Sequence, residues 1–148
     1  MDRIEDLLDY FSSYDVMTIK KDAYIFNPDV DGMPPKYVYL LKEGICSLQG
    51  DTKNGNSRIY LFMESQRAVG YIPVLHDIVS DYDRGYYLMA IQAKTDCIVY
   101  RVPSQDFLRA YKENEAFRDY IVRHVLMDYM KLLQNFHNQH EGSAVTKL

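Results

Sequence analysis

The sequence predicts a mainly β domain, an antiparallel roll or barrel flanked by helices and closed by one long C-terminal helix. Three observations carry this prediction. Aromatic residues make up 14% of the chain and are mostly tyrosine (14 Tyr, 6 Phe, no Trp), which suits half-buried strands. Strand-like runs follow one another through the first two thirds of the chain without alternating with helices, so a doubly wound sheet is excluded. Finally, residues 115–140 contain neither Gly nor Pro and keep a helical apolar periodicity.

Taken in order, Ile4, Leu7, Leu8 and Phe11 predict a short amphipathic helix over residues 2–14. Residues 16–26 read as extended, and the breaker cluster from Asn27 to Pro35 reads as a loop. Tyr37-Val38-Tyr39-Leu40-Leu41 and Ile45-Cys46-Ser47-Leu48 are strands, and the glycine turn Lys42-Glu43-Gly44 between them reads as a hairpin. Asn54-Gly55 marks a further hairpin, answered by the strand from Arg58 to Met63. Residues 71–85 are irregular by pattern. Residues 86–92 and 97–102 are strands on either side of Lys94-Thr95-Asp96. Pro103 breaks the last strand, and Ser104 is placed to cap a helix carrying Phe107 and Leu108. Asn114 interrupts, the long helix follows, Gly142 ends it, and residues 143–148 read as the opening of another helix. The division expected is a β-roll with its N-terminal helix over residues 1–114, then a helix and hinge over residues 115–148.

At 148 residues with 47% apolar content the chain is large enough to build a core. Its formal charge of −4 offers no bulk cationic face for neutralising phosphates. Cys46 and Cys97 lie in apolar strand-like runs. Two buried thiols in a reduced cytosol are the first reading, with a disulfide or a redox switch as alternatives. No run approaches the roughly 20 apolar residues of a membrane span, and the acidic N-terminus lacks a signal-peptide core. A cytoplasmic protein without membrane contact is expected.

The long helix carries two apolar stripes. Val122, Val125, Tyr129, Leu132 and Phe136 form a heptad seam, and Leu126, Met130 and Leu133 form a second stripe beside it. Packing on one neighbour needs a single stripe. Two stripes therefore imply two neighbours, the roll and a twin helix from a second subunit. A helix lying flat across the roll, with both stripes in the core, is the alternative.

Several segments together resemble one family. Tyr37-Val38-Tyr39-Leu40-Leu41-Lys42-Glu43-Gly44 is similar to the signature strand and glycine turn of Crp/Fnr-type transcription regulators. Asn54-Gly55 with Arg58-Ile59-Tyr60-Leu61, the Ala93-Lys94-Thr95-Asp96-Cys97 step, and Pro103-Ser104-Gln105-Asp106-Phe107 resemble the family's later elements in order. The resemblance covers roughly residues 17–148. It implies a cyclic-nucleotide-binding-type jelly roll and a dimerisation helix. Promoter DNA and RNA polymerase would then be reached only through a C-terminal domain missing from this sequence. A free-standing interaction module, in which the roll merely holds a dimer helix, is the second reading.

In the family's nucleotide-binding members a Gly-Glu pair opens a short helix and an arginine follows. Backbone N–H groups and the guanidinium hold the cyclic phosphate, and the carboxylate takes the ribose hydroxyl. Here Gly70 is followed by Tyr71, the arginine's place falls on about Tyr87, and the helix positions that face the base fall near Leu132 and Leu133. A response to cyclic AMP is not expected. Arg84 is either an out-of-register substitute or a solvated loop residue beside Asp81 and Asp83. Tyr71, Ile72, Val74, Leu75, Tyr86, Tyr87 and Leu88 leave two outcomes. The cavity is filled by its own side chains, or it is an apolar pocket for a small, flat or greasy effector.

Of the four histidines, His76, His124, His137 and His140, only His137 and His140 lie at ligand spacing, and no carboxylate or thiol completes a site. The strand-borne His and Glu set of a cupin enzyme and the cysteine cluster of an iron–sulfur sensor are both missing. No nucleophile elbow or phosphate loop is present. Neither a metal nor another cofactor is expected, and no catalysis is read.

Overall fold

The computed structural model describes residues 9–32, 34–51, 57–64, 66–76 and 89–146. Eight strands run β1 (Asp15–Ile19), β2 (Tyr24–Phe26), β3 (Tyr37–Glu43), β4 (Ile45–Asp51), β5 (Ser57–Glu64), β6 (Arg67–Val69), β7 (Ala90–Ala93) and β8 (Cys97–Pro103). They form two antiparallel four-stranded sheets, one ordered β1-β8-β3-β6 and the other β2-β7-β4-β5. Among the described residues, besides the end of the N-terminal helix, helices interleave and follow as α1 (Pro28–Asp31), α2 (Ile72–Leu75), α3 (Ser104–Glu113) and α4 (Glu115–Thr146). The jelly-roll architecture with a long C-terminal helix matches the sequence expectation.

Strand β3 of the first sheet is covered on both faces, which explains its continuous apolar run. Along β3, Val38 and Leu40 face a cluster built with Phe11, Phe107, Phe117 and Ile121. Tyr39 and Leu41 face the second sheet, among Cys46, Leu61, Ile91 and Val99. The helix-side cluster is aromatic. Phe117 of α4 meets the rings of Phe107 and Phe11 edge-on, at 5.3 and 5.6 Å between centroids, a favoured arrangement for aromatic quadrupoles.

Gly44 does not close a hairpin. β3 pairs with β6 and β8, whereas β4 pairs with β5 and β7, so the chain crosses between sheets at this glycine. One residue is too short for the two-residue loop that a hairpin ladder requires. Gly44 has φ +108°, and a Cβ there would stand 2.6 Å from the Asp96 carbonyl and 2.6 Å from Cys97 Sγ. The Lys94-Thr95-Asp96 turn, where β7 gives way to β8, is a second such corner against the first. Ile45 N donates to Thr95 Oγ1 at 3.0 Å, and Lys94 N donates to Ile45 O at 2.8 Å.

Other local expectations shift. Part of the 27–35 loop is the single turn α1, with Asn27 Oδ1 accepting from Asp29 N at 3.1 Å and Pro28 at its start. Asn and Pro break strands but also open helices. Within the stretch expected to be irregular, Ile72–Leu75 forms α2. Ser104 does not cap α3; its hydroxyl donates to Pro35 O at 2.8 Å and Pro103 holds the cap position. Asn114 does separate the two C-terminal helices, its Oδ1 accepting from Phe117 N at 3.0 Å. Gly142 does not end α4, which continues to Thr146, a glycine inside a helix costing only about 1 kcal/mol. Of the expected strand over residues 86–92, only residues 89–92 are described, with Ala90 onward in β7, and the N-terminal helix is described only from Asp9.

Cys46 and Cys97 are free and buried. Burial pushes the Cys46 thiol up to about 12 and raises that of Cys97 as well. Both thiols stay protonated at neutral pH, and a disulfide between them is ruled out in this structure.

Candidate functional site

The groups that stand out lie where β6 turns into α2 and meets α4. Gly70 ends β6 with φ +75°, a left-handed conformation that only glycine adopts without strain. A Cβ there would meet Ile91 at 3.4 Å, so the dihedral rather than crowding selects glycine. The turn sends Tyr71 inward, where it is 2% exposed. Its hydroxyl donates to Asp128 Oδ2 at 2.5 Å.

Arg67 opens β6 and reaches the same carboxylate. Its two terminal nitrogens donate to Asp128 Oδ1 at 2.7 Å and Oδ2 at 2.6 Å, and its Nε donates to Ala68 O at 3.1 Å. The pair is a bidentate fork, with side chains only 13% and 17% exposed. Burial alone would raise the Asp128 carboxyl, but the bonds and charge of Arg67, helped by Tyr71, hold it below the usual carboxylate range. Burial and the same carboxylate push the Tyr71 hydroxyl far up, so it is a donor throughout the useful pH range. Beside them His124 lies against Tyr120, the rings tilted by 54° at 4.3 Å between centroids. Burial and the Arg67 charge lower its pKa, so it is held neutral.

Beyond Asp128, α4 meets the second sheet through polar groups. Lys131 Nζ donates to Phe62 O at 3.1 Å, and Asn135 Nδ2 donates to Tyr60 O at 3.4 Å. Leu132 packs against the inter-sheet cluster and Val125 against the helix-side one. The expected seam is therefore divided. Val125 and Leu132 turn to the roll, while Val122, Tyr129 and Phe136 stay exposed together with Leu126, Met127, Met130 and Leu133. The exposed set contains its own heptad of Val122, Leu126, Tyr129, Leu133 and Phe136, at spacings of four and three.

Of the pocket residues read from the sequence, Gly70 and Tyr71 stand side by side at this site, whereas Arg84, Tyr87 and Leu88 lie outside the described residues. Around Tyr71 the space is taken up by protein: Tyr71 and Val74 are core residues, with Leu75 packed on them. Sequence reasoning missed Arg67 and Asp128. Asp128 did leave a signal, a lone carboxylate on the helical face it shares with Val125 and Leu132. Among the described residues no group of three or more His, Cys, Asp or Glu side chains is gathered to hold a metal. No described helix is long and apolar enough to cross a membrane.

The family profile described as "Cyclic nucleotide-binding domain" matches residues 16–114. The chain belongs to that family. Comparison with curated proteins gives no sequence match. Among solved structures, this cyclic nucleotide-binding domain resembles the sensor domain of the transcriptional regulator DNR from Pseudomonas aeruginosa. There the identity is 20% and the TM-score 0.57, over 93% of this chain and 81% of that one. A mutant of CooA from Carboxydothermus hydrogenoformans gives 17% and 0.65, over 93% and 84% respectively. The c-di-GMP-responsive global regulator CLP of Xanthomonas campestris gives 12% and 0.69, over 88% of this chain and 61% of that one. These are Crp/Fnr-family regulators, and at such identities the likeness is one of fold.

Proposed function

We propose that this chain is the sensor and dimerisation domain of a Crp/Fnr-type transcription regulator that works as a homodimer and does not answer to cyclic AMP. The observation that carries the reading is the exposed apolar seam of α4, Val122, Leu126, Tyr129, Leu133 and Phe136. A monomer gains nothing from such a stripe in water, and a two-fold related copy of the same helix covers it with like residues. DNA and polymerase contacts belong, on this reading, to a separate domain of the regulator.

The absence of a cyclic AMP response is supported by chemistry at the β6–α2 turn. The residue after Gly70 is a tyrosine whose hydroxyl is already spent on Asp128. The nearby guanidinium of Arg67 is neutralised by the same carboxylate. With Asp128 in place, a cyclic phosphate entering here would meet a compensated charge and lose its hydration without return.

The test pairs two substitutions one residue apart, followed by light scattering at micromolar concentration. Leu133→Asp, on the exposed seam, is expected to yield a folded monomer. Leu132→Asp, on the roll-facing side, is expected to lower stability first. A wild-type chain that is already monomeric refutes the homodimer. A clear upward thermal shift with millimolar cyclic AMP refutes the second part.

A further inference from the structure

We propose that Arg67 and Tyr71 form a carboxylate cradle that Asp128 fills from the long helix, and that a small carboxylate-bearing effector takes Asp128's place. The proposal deepens the sensor reading above and rests on it for the word effector; the cradle itself rests on geometry alone.

Both donors belong to the roll. Arg67 is aimed without help from the helix, because its Nε is tied to Ala68 O within β6 and β6 is paired with β3 at Leu41↔Arg67. Tyr71 is fixed by Gly70 on one side and by burial against Val74 and Phe107 in one core cluster on the other. The acceptor alone comes from α4. Three N–H and O–H bonds converge on one planar, singly charged group, its two oxygens each taking one arm of the fork. A fork with parallel donors matches a carboxylate in plane.

Charge then dictates what can move. Arg67 is largely buried, and withdrawing Asp128 would leave its guanidinium uncompensated, which is far costlier than the intact pair. Displacement of α4 at this point is therefore coupled to the arrival of another anion. Beyond Asp128 the helix is held by Leu132 against the inter-sheet cluster and by Lys131 and Asn135, whose bonds to the Phe62 and Tyr60 carbonyls water can replace. Its start, by contrast, is locked by Phe117, Tyr120 and Ile121 in the core. An acid seated on Arg67 would thus free the part of α4 from Asp128 onward and leave residues 115–121 in place. Because the exposed seam runs through that same part, the exchange reaches the surface assigned to the second subunit.

The experiment uses the full chain with two variants and acetate as the probe, acetamide and chloride at matched concentration and ionic strength being the controls. In Asp128→Ala the cradle is vacated, and acetate is expected to raise the Tm saturably, by roughly 3 °C, where acetamide and chloride do not. Adding Arg67→Met should abolish the difference. In Asp128→Asn the seat is contested by a neutral amide. Acetate is expected to speed amide exchange at least threefold over residues 125–138 while leaving 116–121 unchanged. Equal shifts with acetate, acetamide and chloride overturn the cradle. Unchanged exchange in Asp128→Asn overturns the replacement, and that arm decides alone if Asp128→Ala does not fold. A monomeric chain that keeps both acetate responses would refute the dimeric sensor reading and leave the cradle standing.

Discussion

A double-mutant cycle on Arg67 and Asp128 weighs the tie between roll and helix directly. The structure gives two fork bonds at 2.7 and 2.6 Å between groups 13% and 17% exposed. Breaking a well-buried pair from one side costs about 3–5 kcal/mol, most of it the stranded charge. Residual exposure lets water reach the survivor, so about 3 kcal/mol is expected for Asp128→Leu and the same for Arg67→Met. The double variant replaces ion with apolar volume and should lose only about 1–2 kcal/mol, because buried pairs exchanged for hydrophobes are often near neutral. The coupling energy is therefore about 4 kcal/mol. Urea unfolding of all four proteins at pH 7 measures it. A coupling below about 1 kcal/mol would mean that the pair behaves as a solvated surface bridge and does not tie the helix to the roll.

Two further outcomes follow from the same geometry. Gly44→Ala is expected to cost about 3 kcal/mol or prevent folding, since φ +108° is joined to a 2.6 Å approach to the Asp96 carbonyl. Gly70→Ala, strained in φ but with its nearest contact at 3.4 Å, should cost about 1–2 kcal/mol; equal losses by thermal melts would contradict this ordering. Stability should also fall on acidification in two windows. His124 is depressed in the folded state, so the unfolded chain takes up the proton first and stability declines as pH drops below 6.5 towards the folded value. Arg67, Arg123 and Asp128 are the charges facing it. Asp128 is depressed too, so its contribution is present above 3.8 and lost as pH falls through its lowered folded value. Asp128→Asn should flatten the lower window and, by removing the carboxylate that raises His124, deepen the upper one, read from urea midpoints between pH 7 and pH 3.

The roll was legible because strand patterning survives in a single sequence. The β3 run Tyr37 to Leu41, the β5 run from Arg58 to Met63 and the breaker at Pro103 each carry local physics that points one way, while the Asn54-Gly55 turn lies outside the described residues. The crossing at Gly44 was misread as a hairpin although its length argued otherwise. Partner strands are a non-local choice, and Gly44 shows its reason only against Asp96, 52 positions away. Along the long helix, apolar periodicity grouped Val125 and Leu132 with Val122, Tyr129 and Phe136, whereas Val125 and Leu132 pack on the roll and the other three are exposed. Periodicity fixes which residues share a side, not which side meets the roll. The polar centre was harder still, since Arg67 and Asp128 are 61 residues apart. Only the lone carboxylate among Val125 and Leu132 hinted that this face meets something charged.

The bonds from Lys131 and Asn135 to β5 have one more consequence. β5 is the last strand of its sheet, and the carbonyls of Tyr60 and Phe62 lie two residues apart on it. An unprotected strand margin offers a template to any passing chain. Side chains four residues apart on a helix step along its axis by about 6 Å, close to the two-residue repeat of an extended strand. The helix thus stands in for a neighbouring strand at two consecutive acceptors. The segment that carries the seam also shields the roll's margin from adventitious pairing, so separating them would exchange one vulnerability for another.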